Sequence, residues 1–255
     1  MSPNLLRWSA LPIGLSAFVG RLAITFWLQP LTWRMSGVSG LLALLGGLAV
    51  AVGVPAGLFA LLGRGGRPTQ FTIRDGRFTV PPSPVYAGTQ AIMSMFLGGG
   101  LVAAERVPDG DSMRIAEFAL PASIIGVAVF CSVALAFLLV TRPQLHLDPD
   151  GLTVRRLRRT TRVTWEHLLP GGPPPPAKRR QRWLRLYLNA PPVVGRYPPS
   201  EDLPIGWLHV DPAFLAGAVR HYVEHPEDRA AIGSVDELAR LRGRLASTPT
   251  VDNVT

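Results

Sequence analysis

The stretch Phe118-Ala-Leu-Pro-Ala-Ser-Ile-Ile-Gly-Val-Ala-Val-Phe-Cys-Ser-Val-Ala-Leu-Ala-Phe-Leu-Leu-Val-Thr141, followed by Arg142-Pro-Gln-Leu-His-Leu-Asp-Pro-Asp-Gly-Leu-Thr-Val-Arg-Arg156, decides how this chain is read. Its first part is 24 residues without a charge. Its second part opens a segment, 142–199, with 12 Arg or Lys against three acids, Asp148, Asp150 and Glu166. About 20 apolar residues cross the hydrocarbon of a bilayer, and the cytoplasmic flanks of such spans are enriched in Lys and Arg. An apolar run that ends in a basic stretch predicts a helix leaving the membrane on its cytoplasmic side, with the basic region held near anionic headgroups.

Upstream, residues 35–63 are uncharged and bounded by Arg34 and Arg64, which predicts a second span. A third is predicted over 85–104, after Pro81, Pro82 and Pro84 and with Gly98–Gly100 as a close-packing segment. Residues 8–29 make a fourth, flanked by Trp8 and Trp27 in the manner of an interfacial aromatic belt, with Arg21 near its middle. Arg21 also argues against a secretory signal. Four spans put Arg7, the loop 64–84 and the basic C-terminal part on one side, and the loops 30–37 and 105–116 on the other. The positive-inside rule then predicts a multi-pass protein of the plasma membrane with both termini cytoplasmic. One cysteine, Cys131, excludes a disulfide framework or a cysteine metal site within the chain, and 25 Arg to one Lys fits a GC-rich bacterial genome.

Two segments echo each other. Residues 67–80 (RPTQFTIRDGRFTV) and 142–154 (RPQLHLDPDGLTV) both start with Arg-Pro after an apolar run and alternate around Asp-Gly. Each predicts a β-hairpin, and the pair suggests a duplicated unit of helices plus hairpin. If equivalent, the copies lie on one membrane side, which requires an even number of crossings between them. Beyond the second hairpin come predicted strands at 161–165, 183–188 and 205–210, with a Pro-rich segment at 189–204. Asp211 and Pro212 then open a helix that Pro226 stops, with Phe214, Leu215, Ala218, Val219 and Tyr222 on one face. A second helix, 233–246, is predicted from Ser234 with Glu237 completing a capping box, ahead of a disordered tail at 247–255.

The segments 142–154, Val-Thr-Trp-Glu-His-Leu (163–168) and Asp-Pro-Ala-Phe-Leu…Tyr-Val-Glu-His-Pro-Glu-Asp-Arg (211–229) resemble the pleckstrin-homology-like domain of bacterial integral membrane proteins. The resemblance covers 142–232, with an echo of the first hairpin at 67–80. It implies a twisted sheet or barrel closed by a C-terminal helix, and no catalytic residues. The expected fold class is thus a membrane α-helical region, 1–141, with about four transmembrane helices, plus a small α+β domain.

His221-Tyr-Val-Glu-His225 spells the inverted zinc-protease pattern, but His225 precedes Pro226, which turns it away from helical geometry. Cationic residues at a helix C-terminus explain it better, which leaves a zinc-dependent membrane hydrolase as a remote alternative. His146 with Asp150-Gly151 fits an acyl-transfer spelling, and Asp148 with Asp150 a calcium loop; a hairpin turn accounts for both. No cofactor is expected, and the basic run lacks the stacking aromatics of a nucleic-acid surface. Trp165, Trp183 and Trp207 are expected in the sheet core. The candidate binding residues for lipid or a membrane-protein partner are Arg155, Arg156, Arg158, Arg159, Arg162, Lys178, Arg179, Arg180, Arg182 and Arg185. The expected function is a non-enzymatic, membrane-anchored binding or scaffold protein. The alternative is a small transporter or channel accessory with a regulatory cytoplasmic domain.

Overall fold

A computed structural model describes residues 3–35, 37–63, 65, 67–107, 113–139, 144–156, 159–176, 181–189 and 200–247. The chain divides into two compact units, Met1–Gly65 with Pro84–Val140, and Gly66–Ser83 with Thr141–Thr255.

In the first unit, α1 (Pro3–Ala23) runs through a π-helical turn, Ile24–Leu28, into α2 (Gln29–Trp33). Pro30 has no N–H to offer the preceding turn, and the Gln29 N–H bonds back five residues to the Ile24 carbonyl. Next come α3 (Val38–Leu62), α4 (Pro84–Gly99) and, after a 3-10 turn at Glu117–Ala119, α5 (Leu120–Leu139). Among the described residues three helical segments are long and apolar enough to cross a membrane: Pro3–Trp33, Val38–Leu62 and Glu117–Leu139. Their outer surfaces are apolar and exposed, as at Leu42, Val54, Ile125 and Val129, which suits lipid and not water.

The span expected over 85–104 is shorter in the structure. α4 has 16 residues, and its continuation turns into a small antiparallel pair, Ala104–Arg106 with Met113–Ile115. Three consecutive glycines, Gly98–Gly100, end the helix where Ala or Leu would have prolonged it. α4 is also the helix most enclosed by its neighbours. Ala87, Gly88, Ala91, Ile92, Gly98 and Gly99 are all buried. Gly88 faces the Phe59 ring of α3 so closely that no Cβ fits, and Gly14 of α1 lies against Ile92 and Met95. These contacts also fix direction. α1 and α4 run the same way, since Gly14 meets Ile92 and Arg21 meets Gly99. α3 and α5 run the opposite way, since Gly20 meets Ala51, Phe59 meets Gly88, and Gly98 meets Phe130.

In the second unit, β1 (Thr72–Arg74) and β2 (Arg77–Val80) form the first hairpin. With the short pair above as β3 and β4, the strands continue as β5 (Gln144–Asp148), β6 (Gly151–Arg155), β7 (Thr160–Thr164), β8 (Leu184–Tyr187) and β9 (Ser200–Leu203). Helices α6 (Pro212–Glu224) and α7 (Val235–Ser247) follow. The hairpin expected as a cytoplasmic piece of the membrane region is built into the sheet of this second unit. The order is β1-β2-β5-β6-β7, antiparallel throughout, with Val80 opposite Leu145 and Phe78 opposite Leu147. Apolar alternation in both hairpins turns Phe78, Val80, Leu145, Leu147, Leu152 and Val154 to one buried face, so pairing the hairpins makes that face continuous. β8 and β9 pair separately.

The two turns differ. Asp75 and Gly76 both have positive φ (51° and 66°), as a two-residue hairpin loop requires. In the second hairpin Asp148 pairs with Gly151, so the loop is Pro149-Asp150 and not Asp-Gly. The Asp148 Oδ1 accepts the N–H groups of Asp150 and Gly151 and holds that turn.

The expected strand over 205–210 is instead a 3-10 turn, Ile205–Trp207, with one bridge from Leu208 to Pro82. Asp211 caps α6 by accepting from the Ala213 and Phe214 N–H groups. α6 buries Phe214, Leu215, Ala218, Val219 and Tyr222 over the sheet core, where Trp165 lies 5.7 Å from the Tyr222 ring. Only half of the expected capping box forms: the Ser234 Oγ accepts the Glu237 N–H, but the Glu237 carboxylate turns inward to the Tyr222 hydroxyl. Beyond Ser247, the expected tail lies outside the described residues.

Candidate functional site

The strand register sorts the basic residues. Val80, Gln144, Arg155 and Thr160 share one end of the five-stranded sheet, while Arg74–Arg77 and Asp148–Gly151 close the other. The first end is where β2 leads on toward Pro84 of α4, and where β5 takes up the chain from α5. Arg155 ends β6 there, Arg156 follows it, and Arg159 precedes β7; the Arg156 N–H bonds the Arg159 carbonyl at 2.8 Å. Arg155 and Arg159 are exposed.

Arg156 also joins the two sheets. Its Nη2 donates to the Asp202 carbonyl at 3.2 Å and lies 3.7 Å from Glu201. Arg185, opposite Asp202 in the β8–β9 ladder, pairs with that carboxylate at 3.1 Å. This bond, and the charge behind it, hold the Arg185 pKa above its ordinary value. Arg182 lies just before β8, its stem packed over Gly206. Arg155, Arg156 and Arg159 thus lie at one end of the sheet, and Glu201 and Asp202 stand between Arg156 and Arg185.

Arg162 does not belong to this group. It lies opposite Thr153 and reaches the other end of the sheet, 2.8 Å from Asp150 and 3.8 Å from Asp148. Arg158, Lys178, Arg179 and Arg180 lie outside the described residues. Two further arginines escaped the sequence reading. Arg74 and Arg77 lie on the same sheet face as Arg155 and Arg162, a placement visible only once the first hairpin joins the sheet. Between them His146 bonds Thr79 through Nδ1 at 3.0 Å. Burial, then Arg155 and Arg77, lower its pKa.

The zinc spelling does not converge. Glu224 is exposed, and the His225 Nδ1 contacts the His221 carbonyl at 3.0 Å while its ring stacks on His221. His221, Asp228 and Glu237 do come together, within 4.8 Å of one another. Guanidinium groups already occupy them: Arg244 lies 2.8 Å from Asp228 and 3.2 Å from the His221 Nε2, and Arg240 lies 2.9 Å from Glu237. Two arginines balance two carboxylates, so a cation would enter against like charge. The group works instead as a lock between α6, the turn Pro226–Ala231 and α7. Burial lowers the His221 pKa, with His225 and Arg244 adding to it. Asp228, though raised by desolvation, is held below the usual carboxylate range by Arg244. Burial and the neighbouring Glu237 push the Tyr222 phenol far up.

Of the three tryptophans expected in the core, only Trp165 is there, 2% exposed, its indole N–H bonded to the Asp148 carbonyl. Trp183 is 48% exposed and packs against Trp207. Compared with protein-family models, with curated proteins and with solved structures, the chain matches none of them.

Proposed function

We propose that this chain is a four-span membrane protein whose second unit is a pleckstrin-homology-like domain acting as a non-enzymatic binding module for anionic lipid headgroups at the inner leaflet. The observation that carries the reading is the placement of Arg155, Arg156 and Arg159 at the end of the sheet where β2 leads on to α4 and β5 follows α5. Lys and Arg near an anionic surface gain about 1 kcal/mol each.

Parity supports the fourth span. Val80 and Leu145 are paired in one ladder, so they share a side of the membrane. α5 has the length and apolarity of a span, and its crossing must be matched between the two residues. α4 supplies the return: 16 residues rise about 24 Å, and its enclosure by neighbouring helices eases a short crossing. The domain reading draws on seven described antiparallel strands in the second unit and on α6 closing their core. The orientation reading draws on Arg74 and Arg77, which share the sheet with Arg155 and Arg162 of the basic C-terminal segment.

The test uses the full chain, because a fragment beginning at 142 lacks β1 and β2. In nanodiscs of phosphatidylcholine mixed with phosphatidylserine, amide exchange over 151–164 slows relative to phosphatidylcholine alone. High salt and the variant Arg155→Glu/Arg159→Glu both abolish the difference. Equal exchange in both lipids overturns the headgroup reading and leaves a protein partner. Orientation is checked on intact cells in a Cys131→Ala background: an impermeant maleimide labels Ile115→Cys and not Glu166→Cys.

A further inference from the structure

Trp183 is exposed and Trp207, which it packs against, is half-buried, yet the pair is held firmly. The rings lie 6.1 Å apart at 59°, and the Trp183 carbonyl accepts the Gln181 side-chain amide at 2.6 Å. Three backbone contacts anchor the segment bearing Trp207. The Ser83 N–H donates to the Trp207 carbonyl at 2.7 Å, Pro82 bridges Leu208, and the His209 N–H donates to the Pro81 carbonyl at 2.9 Å. Ser83 is covalently followed by Pro84, the first residue of α4, and consecutive Cα atoms lie about 3.8 Å apart. The tryptophan pair is therefore tied to the point where the chain enters a helix of the membrane unit.

Position and chemistry agree. Indole rings prefer the headgroup level, where an apolar body and a polar N–H are both accommodated. Beside them Arg182 lies across Gly206, its Cβ and Cγ 3.3–3.4 Å from where a Cβ of residue 206 would stand. A side chain at 206 would press on this arginine's stem. An aliphatic stem along an apolar surface with the guanidinium at headgroup depth is the way arginine settles at an interface.

We infer that Trp183, Trp207 and Arg182 form an interfacial foot that inserts into the headgroup layer at the root of α4 and holds the second unit against the bilayer. The foot rests on the membrane reading above, but not on the lipid's charge. Aromatic insertion operates in neutral bilayers and at high salt, whereas the attraction of Arg155, Arg156 and Arg159 for anionic lipid does not.

The test is 19F NMR of the full chain carrying 5-fluorotryptophan, in neutral phosphatidylcholine nanodiscs, with resonances assigned by single Trp→Phe variants. A headgroup-level nitroxide lipid broadens Trp183 and Trp207 at least as strongly as Trp8, and an aqueous gadolinium chelate leaves them sharper than a fluorine label placed at Glu166→Cys. Trp165 responds to neither. Broadening of Trp183 by gadolinium without broadening by the nitroxide lipid overturns the foot. If Trp8, Trp27 and Trp33 also escape the nitroxide lipid, the membrane reading falls with it. If the foot passes while exchange over 151–164 ignores phosphatidylserine, only the headgroup reading falls.

Discussion

Arginines on the apolar helices are placed differently from those outside them, where Arg114 meets Glu105 at 2.7 Å and the sheet unit holds further ion pairs. In the membrane unit, Arg7 and Arg21 lie beside helix C-termini. The Arg7 Nη2 donates to the Phe137 carbonyl in the last turn of α5, at 3.3 Å. Arg21 lies over the end of α4, where a Cβ at Gly100 would stand 3.1 Å from its Nε, and its guanidinium is 6.0 Å from the Phe96 ring. Unsatisfied carbonyls give a helix C-terminus about half a negative charge, so neighbouring helices offer both arginines a negative pole. In the sheet unit, Arg156, Arg162, Arg185, Arg240 and Arg244 all lie beside carboxylates. Where water is present a paired acid is inexpensive. Within a bilayer it would be a second buried charge.

The contrast extends to packing. The sheet unit has a large-residue core around Trp165, Tyr222 and the leucines of β5, β6 and β8, whereas the helical unit has a smaller one that sets Ala10, Ala17, Ala91 and Ala134 beside Leu6, Phe59, Ile92 and Leu138. The largest effect is therefore expected from Trp165→Ala, about 3–5 kcal/mol, read by denaturant unfolding of the second unit in the detergent-solubilised full chain. An equal truncation on the lipid-facing side, Ile125→Ala, leaves helix association unchanged; a comparable loss there would erase the distinction. Next comes Glu237→Ala, which strands the buried Tyr222 hydroxyl and costs about 2–3 kcal/mol in the same assay. Gly99→Leu drives a side chain into the Phe18 carbonyl and the Arg21 stem, and weakens α1–α4 association by about 1–3 kcal/mol, measurable by steric trapping.

A pH scan sharpens the comparison further. The folded-state pKa of His221 lies below the ordinary 6.5, as do those of His146 and His209. Below about pH 6.5 the unfolded chain binds protons that the folded one refuses, so stability of the second unit declines as pH falls from 7 toward 5. His221→Asn flattens part of that slope. The smallest effect belongs to Arg162→Ala: its pairing with Asp150 is exposed, and the change stays within about 0.5 kcal/mol.

Local chemistry was legible where one residue acts on its neighbours. Asp211 with Pro212 fixed the start of α6, Pro226 its end, and charge-free runs marked α3 and α5. Long-range partnership was not. Nothing in 67–80 announces that β2 pairs with a strand more than 60 residues later; the echo between hairpins suggested duplication, while their contact is direct. β9 reads Ser-Glu-Asp-Leu, with no alternation to mark it, and owes its strand form to β8. Trp183 shares the parity of the exposed Arg185, not that of the buried Leu184 and Leu186, so the alternation itself points it away from the core. For the candidate site, composition located the arginines but only register could separate Arg155 and Arg159 from Arg162.

The ladder between β2 and β5 also bears on how the protein is made. On the four-span topology proposed above, β2 leaves the ribosome first and waits, an open edge, while α4 and α5 are synthesised and inserted. A chain in which one of them stalled would leave half the sheet on each face of the bilayer, where no hydrogen bond can join them. On that topology the sheet can close only when both crossings are complete.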